Sequence, residues 1–285
     1  MHLEPGPLVV LLVLLAAVLH ATWNALAHAA EDRLVGFALI STSTLVLGAT
    51  LVLVGRPVGW HYFWMAALSA ALHIAYLLLL MASYEVADLS RAYPLSRGTG
   101  VALTAVASIV LPRSPLGVDV VLGTGLVVVG LVGVTIAGPS LRRADARGIA
   151  TALGTGVAIA GYTVVDGLAV SGGAPVVAYA GWLMFLQSWV VPSYAVVKRG
   201  RRLLTVSRRQ VVTGLTGGAV SLAAYGLVLL AQTSGALAAV AALRELSIAL
   251  GVLIGAFVLH EAAARKRLLP ALVLTAGAVV LALSI

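Results

Sequence analysis

The chain has 285 residues, of which 61% are hydrophobic and only 10% charged, at a mean hydropathy of +1.08. A soluble domain is about 25% charged, so this composition excludes a water-soluble fold and indicates an all-α integral membrane protein. The lack of Cys excludes a disulfide scaffold and a cysteine-based metal site; the formal charge of +8 is spread over short loops, the pattern of membrane anchoring and orientation rather than of nucleic-acid binding.

A helix needs about 20 apolar residues to cross a bilayer core. Windows of that size fall at 8–27, 35–54, 60–83, 89–111, 116–137, 147–169, 176–197, 211–231, 235–259 and 268–284, which predicts ten transmembrane helices. The first, from Leu8 to Leu19, lacks a basic flank and runs into Trp23 and Asn24; it reads as a membrane helix, with a removed signal peptide as the alternative. Trp60, Tyr62, Phe63 and Trp64 crowd the start of the third window and read as an interfacial aromatic belt. In the fourth, Pro94 precedes Arg97 by three residues. Either the helix is kinked or starts late there, or residues 84–94 form a loop and Pro94 is a first-turn proline. Gly123, Gly125, Gly130 and Gly133 fall within the fifth window, and Gly251 and Gly255 are four apart in the ninth. Small residues of this kind let helices approach closely where lipid supplies no hydrophobic force between them. The windows are too long and too uniformly apolar for β-barrel strands.

Loop charge sets the expected orientation. Arg33, Arg91, Arg142, Arg143, Arg147, Lys198, Arg199, Arg201, Arg202, Arg208, Arg209, Arg265, Lys266 and Arg267 fall in odd-numbered loops, and Arg56 and Arg113 in even ones. That bias puts the odd loops in the cytoplasm and both termini outside. Lys198 to Arg209 reads as an anchor for anionic lipid. An internal repeat accompanies the charge pattern. His73-Ile-Ala-Tyr76 resembles Leu222-Ala-Ala-Tyr225, Leu95-Ser-Arg97-Gly98 matches Ala242-Leu-Arg244-Glu245, and His20 to Asn24 aligns with Tyr162 to Asp166. The chain thus divides into five-helix halves, 1–138 and 139–285. Five is odd, so the second half is inverted relative to the first, a plan common among alternating-access transporters.

The residues that could carry chemistry follow from cost. A charge inside an apolar span costs roughly 2.5–3.5 kcal/mol on insertion scales and needs a partner or a wet cavity. Arg97 and Arg244 are such charges. Asp166, Glu245 or a carbonyl freed by a broken turn are their candidate partners, either at a substrate site or as an ion pair that only holds helices together. The inverted repeat puts Arg97 toward the cytoplasm and Arg244 toward the exterior, so the expectation is that they serve opposite gates of one cavity. Trp23, Asn24, His20, His73, Tyr76, Tyr162, Asp166 and Tyr225 form a second group suited to a small polar or zwitterionic solute; His73 and Tyr76 also suit helix-to-helix hydrogen bonding. Asp166 is the candidate for coupling to a proton or other driving ion, as acids inside apolar spans are in pumps. It also lies near the outer end of its helix, where simple solvation is the alternative. No enzyme motif, metal-ligand cluster or cofactor fingerprint is present, so no enzymatic activity, metal or cofactor is expected.

His20-Ala-Thr-Trp23-Asn24, Ala92-Tyr93-Pro94-Leu-Ser-Arg97-Gly98, Gly161-Tyr-Thr-Val-Val-Asp166-Gly167 and Leu243-Arg244-Glu245-Leu-Ser-Ile occur in the order and spacing of two EamA repeats. Over almost its whole length the chain resembles the EamA-type branch of the drug/metabolite transporter superfamily. That resemblance implies a ten-helix alternating-access carrier of the prokaryotic cytoplasmic membrane, monomeric or homodimeric, exporting a small metabolite such as an amino acid. It also implies a central cavity lined by the third, fourth, eighth and ninth helices, with His73, Tyr76, Arg97, Tyr225 and Arg244 near it and Trp23 and Asn24 alongside. One departure stands out: Glu261 follows His260 just past the ninth window, whereas the first half has Ser114 at the aligned place. A passive facilitator or channel, an uptake carrier and a membrane enzyme on lipid-linked substrates are the competing functions.

Overall fold

The computed structural model describes residues 3–28, 32–86, 89–110, 117–137, 146–253 and 265–284. Among these the chain is helical, with no strand. In order the helices are α1 Pro7–His28, α2 Arg33–Val54, α3 Trp60–Val86, α4 Leu89–Val110, α5 Val118–Ile136, α6 Ala146–Ser171, α7 Val176–Gln187 and α8 Val190–Arg199. A 3-10 turn over Gly200–Thr205 leads to α9 Arg208–Gln232, α10 Leu237–Leu243, α11 Leu246–Leu253 and α12 Leu268–Ser284.

Five helical stretches among the described residues are long and apolar enough to cross a membrane: Leu34–Val54, Trp60–Leu79, Arg147–Ser171, Val176–Arg199 and Arg208–Gln232. Shorter apolar helices cover Pro7–Trp23, Val118–Val134 and Leu268–Leu283. Large apolar side chains face outward along them, including Leu11, Leu53, Val121, Val129, Leu272 and Leu283. An exterior of this kind is at home in hydrocarbon, so the chain is a helical membrane protein.

Three windows differ in detail from expectation. The stretch 176–197 is two helices, interrupted at Ser188–Trp189. Pro192 explains the break, because it lacks the N–H that would bond to the Ser188 carbonyl. The stretch 235–259 is also interrupted, at Arg244–Glu245, although neither glycine nor proline lies at that point. There the ladder tightens: Glu245 N–H bonds to Ala242 O at 3.1 Å, Ser247 N–H to Arg244 O at 3.3 Å and Ile248 N–H to Glu245 O at 2.9 Å. Such i−3 bonds are 3-10 geometry. The fourth helix, in contrast, starts at Leu89 and continues through Pro94, so neither the late start nor the 84–94 loop occurs.

Close packing substitutes for a hydrophobic drive. α5 lies along α12, α3 along α6, α1 along α9, α2 along α7 and α9, and α4 along α6 and α5; α3 also meets α7, while α10 and α11 pack on α1 and α12. At Gly130 an added Cβ would stand 2.5 Å from the Leu274 nitrogen and 2.7 Å from its Cα, so α5 and α12 meet backbone to backbone. The α2–α7 contact is built alike, since a Cβ at Gly48 would meet the Phe185 nitrogen at 2.8 Å. Hydroxyls add cross-links between helices: Ser43 donates to Leu215 O at 2.9 Å, and Thr44 and Ser188 share a hydrogen bond of 2.8 Å. At one rim Asp32 caps α2 by accepting from the N–H groups of Leu34 and Val35, and Arg199 at the end of α8 donates to the same carboxylate at 2.7 Å.

Candidate functional site

The buried charged residues of the interior, with several aromatic partners, lie on α1, α3, α4, α6, α7 and α9 and at the Arg244–Glu245 break. Arg97 on α4 reaches across to Glu245 and holds it with both arms of its fork, Nε to Oε2 at 2.9 Å and NH2 to Oε1 at 2.5 Å. The side chains are 5% and 3% exposed. A bidentate arginine–carboxylate pair is the arrangement that offsets burial of both charges best. It joins residues 148 apart in sequence and so ties α4 to the broken ninth stretch. Arg97 therefore meets one of the three partners expected for it. The opposite-gate arrangement is corrected: Arg97 binds the residue next to Arg244, so the two arginines belong to one cluster. His20 on α1 feels the charge of both.

Arg244 is in a different position. Its side chain is half-buried, and its guanidinium lies 5.8 Å from the centre of the Tyr225 ring on α9. Among the described residues it has no ion pair and no side-chain hydrogen bond. The cation–π contact fixes the guanidinium over the ring but leaves its five N–H donors to other ligands. The Arg97 fork already occupies Glu245.

Asp166 on α6 is fully buried, not solvated at the outer end of its helix. Its Oδ1 accepts from the Tyr179 hydroxyl at 2.7 Å, its Oδ2 accepts from the Tyr225 hydroxyl, and the Ser69 hydroxyl of α3 adjoins the same group. Four helices thus converge on one carboxylate. Arg244 is within electrostatic reach but not in contact. Tyr225 links the two charges, with its ring under Arg244 and its hydroxyl on Asp166.

Aromatic rings form the adjoining wall. His73 stacks on Tyr162 with ring centres 3.8 Å apart and meets the edge of Tyr225 at 5.4 Å. Tyr76 stands edge-on to Tyr162 at 6.0 Å. His73 Nδ1 lies 2.9 Å from the Ser69 carbonyl, so it donates there, and Nε2 is left as an acceptor in the neutral ring. Neither His73 Nε2 nor the hydroxyl of buried Tyr162 has a hydrogen-bond partner among the described residues. Trp23 turns inward along α1, its indole N–H donating to His20 Nδ1 at 3.2 Å. The side chain of Asn24 lies outside the described residues, as do Ser114 and Glu261.

Of the residues singled out in the sequence, the structure thus brings together His73, Tyr76, Tyr162, Asp166, Tyr225, Arg97, Arg244 and Glu245, with His20 close by and Trp23 held by it. Tyr179 and Ser69 complete the Asp166 cluster and were not anticipated. The available signal was a hydroxyl inside an apolar window, which must find a partner when water is excluded.

No family model and no curated protein matches the sequence. Among solved structures, one described only as "Crystal structure of protein" is similar to this chain at a TM-score of 0.75 and 16% sequence identity, over 97% of this chain and 96% of the other. At that identity the likeness is one of fold, and it extends over nearly all of both chains.

Proposed function

We propose that the chain is an EamA-like secondary carrier that moves a small polar metabolite across the prokaryotic cytoplasmic membrane by alternating access, with export of amino acids as the leading case. The observation that carries this reading is the Arg244 site. Among the described residues its half-buried guanidinium has no charge partner, and it lies beside stacked aromatics whose polar atoms are open, where the ninth helical stretch is broken. Broken helices at mid-membrane are how carriers present polar groups to a solute.

The packing scheme supports the ten-span, two-repeat plan, with halves 1–138 and 139–285 and both termini outside. Exchanging the halves pairs α1 with α6, α2 with α7–α8, α3 with α9, α4 with α10–α11 and α5 with α12. Under that exchange the α5–α12 and α2–α7 contacts map onto themselves, α3–α6 maps onto α9–α1, and α2–α9 onto α7–α3. Two similar half-units related by an axis in the membrane plane would pack in this way. Asp166, with its three hydroxyls, is the group on which a driving proton or other ion would act. Flux into proteoliposomes tests the proposal: saturable uptake accelerated by substrate on the far side supports a carrier, and non-saturating conductance favours the channel reading.

A further inference from the structure

We infer that Arg244 is the anchor for a carboxylate, and that the solutes this site takes are organic monocarboxylates in which the carboxylate is required and an ammonium group is not. The inference rests on the reading of this cluster as the carrier's binding site, and it follows from which charges are already satisfied. Glu245 is held by both arms of Arg97. Asp166 accepts from the Tyr179 and Tyr225 hydroxyls and adjoins Ser69. The two buried acids of the cluster are therefore occupied, and among the described residues Arg244 is the cation of the cluster with no anion against it.

A carboxylate fits that vacancy by shape as well as charge. The guanidinium fork binds it through two parallel hydrogen bonds, and the Tyr225 ring lies under the guanidinium at 5.8 Å. Arg97 serves a different purpose here: by holding Glu245 it keeps that acid from turning to neutralise its neighbour Arg244. The open groups among the described residues, His73 Nε2 and the Tyr162 hydroxyl, carry no negative charge. They can accept a proton donor from a solute's amino or hydroxyl group but supply no negative charge for a free cation. Amino acids and their deaminated analogues are thus both admissible, whereas amines and carboxamides are not.

The test uses the full-length protein in lipid nanodiscs and isothermal titration with two matched series: phenylalanine, 3-phenylpropionate, phenylalanine amide and 2-phenylethylamine, and leucine, 4-methylpentanoate, leucine amide and isopentylamine. Acids and zwitterions of at least one series should bind, and the amide and amine of that series should bind on the order of 10- to 100-fold more weakly, as expected for losing a charge-assisted hydrogen-bond pair. Arg244→Gln should abolish the difference between acid and amide. Arg244→Lys, which keeps the charge without the fork, should retain carboxylate preference at reduced affinity, so the test survives if the glutamine variant does not fold. Amines or amides that match the acids, full carboxylate affinity in a folded Arg244→Gln protein, or no binding by either series would overturn the inference. Binding of acids without passage in proteoliposomes would leave the anchor standing and remove the carrier. Passage of amines unaffected by Arg244→Lys would do the reverse.

Discussion

Glu245→Gln removes the acid gripped by the Arg97 fork, whose arginine is only 5% exposed. Breaking a buried pair in this way typically costs about 3–5 kcal/mol, because the surviving charge stays desolvated. Arg97→Gln should cost a similar amount by stranding the acid. In the double variant both charges are gone, and two amides can hydrogen-bond across the same gap. The singles should therefore not add: the double variant should lose less than the sum, by a coupling of about 2 kcal/mol or more, within the range found for contacting groups. Thermal unfolding of the four proteins in one detergent provides the cycle, with roughly 2–4 °C expected per kcal/mol for a chain of this size class. The reasoning fails if each single variant melts within about a degree of the parent, or if the two losses simply add. Either result would mean that water reaches the pair and that it does not tie α4 to the broken stretch.

Other outcomes follow from separate contacts. Tyr179→Phe removes a donor from buried Asp166 and should lower stability by about 1.5–3 kcal/mol, the usual size for a hydrogen bond to a charged group; a calorimetric change near zero would contradict the role given to that hydroxyl. Gly130→Ala should destabilise by about 1–3 kcal/mol, because its Cβ would meet α12 backbone and force the helices apart. Gly125→Ala on the same helix, where nothing lies within 4 Å, should leave melting unchanged or slightly raised. At the rim, the Arg199 hydrogen bond first, then the Val35 N–H, the Arg199 charge and the Leu34 N–H, together hold the Asp32 carboxyl below its ordinary value of 3.8. A lowered folded-state value contributes stability that is present above the unfolded value and lost as pH falls through the folded one. The difference in melting temperature between the parent and Asp32→Asn should accordingly shrink as pH drops from neutral to below 3.8. With both groups about one-third exposed, at 35% and 36%, that difference should also shrink with added salt.

Much of this molecule was legible because lipid leaves few solutions. Apolar length located the long apolar helices, and the cost of charge singled out Arg97, Arg244, Asp166 and Glu245. Periodicity does not reveal which charge meets which. The turn at Arg244–Glu245 carries no glycine or proline to announce it; it is held by a side chain from α4, a tertiary contact between residues 148 apart in sequence. Pro94, the obvious breaker, lies in a helix that continues, because a proline removes one hydrogen bond of the ladder and neighbouring packing can hold the rest in place. Tyr179 lay unremarked in an apolar window for a related reason: a hydroxyl's significance there depends on its partner, and Asp166 is 13 residues away on the preceding helix.

Alternating access is the central claim, and the chain's lack of cysteine permits a direct measurement of it. Tyr76→Cys places one thiol beside Tyr162 in the aromatic wall. Its labelling by a membrane-impermeant maleimide should be followed in proteoliposomes from each side, with and without a bound carboxylate probe. A carrier should admit the reagent from both sides across the population, and the probe should shift the two rates in opposite directions. Access from one side only, or rates that rise and fall together, would contradict it.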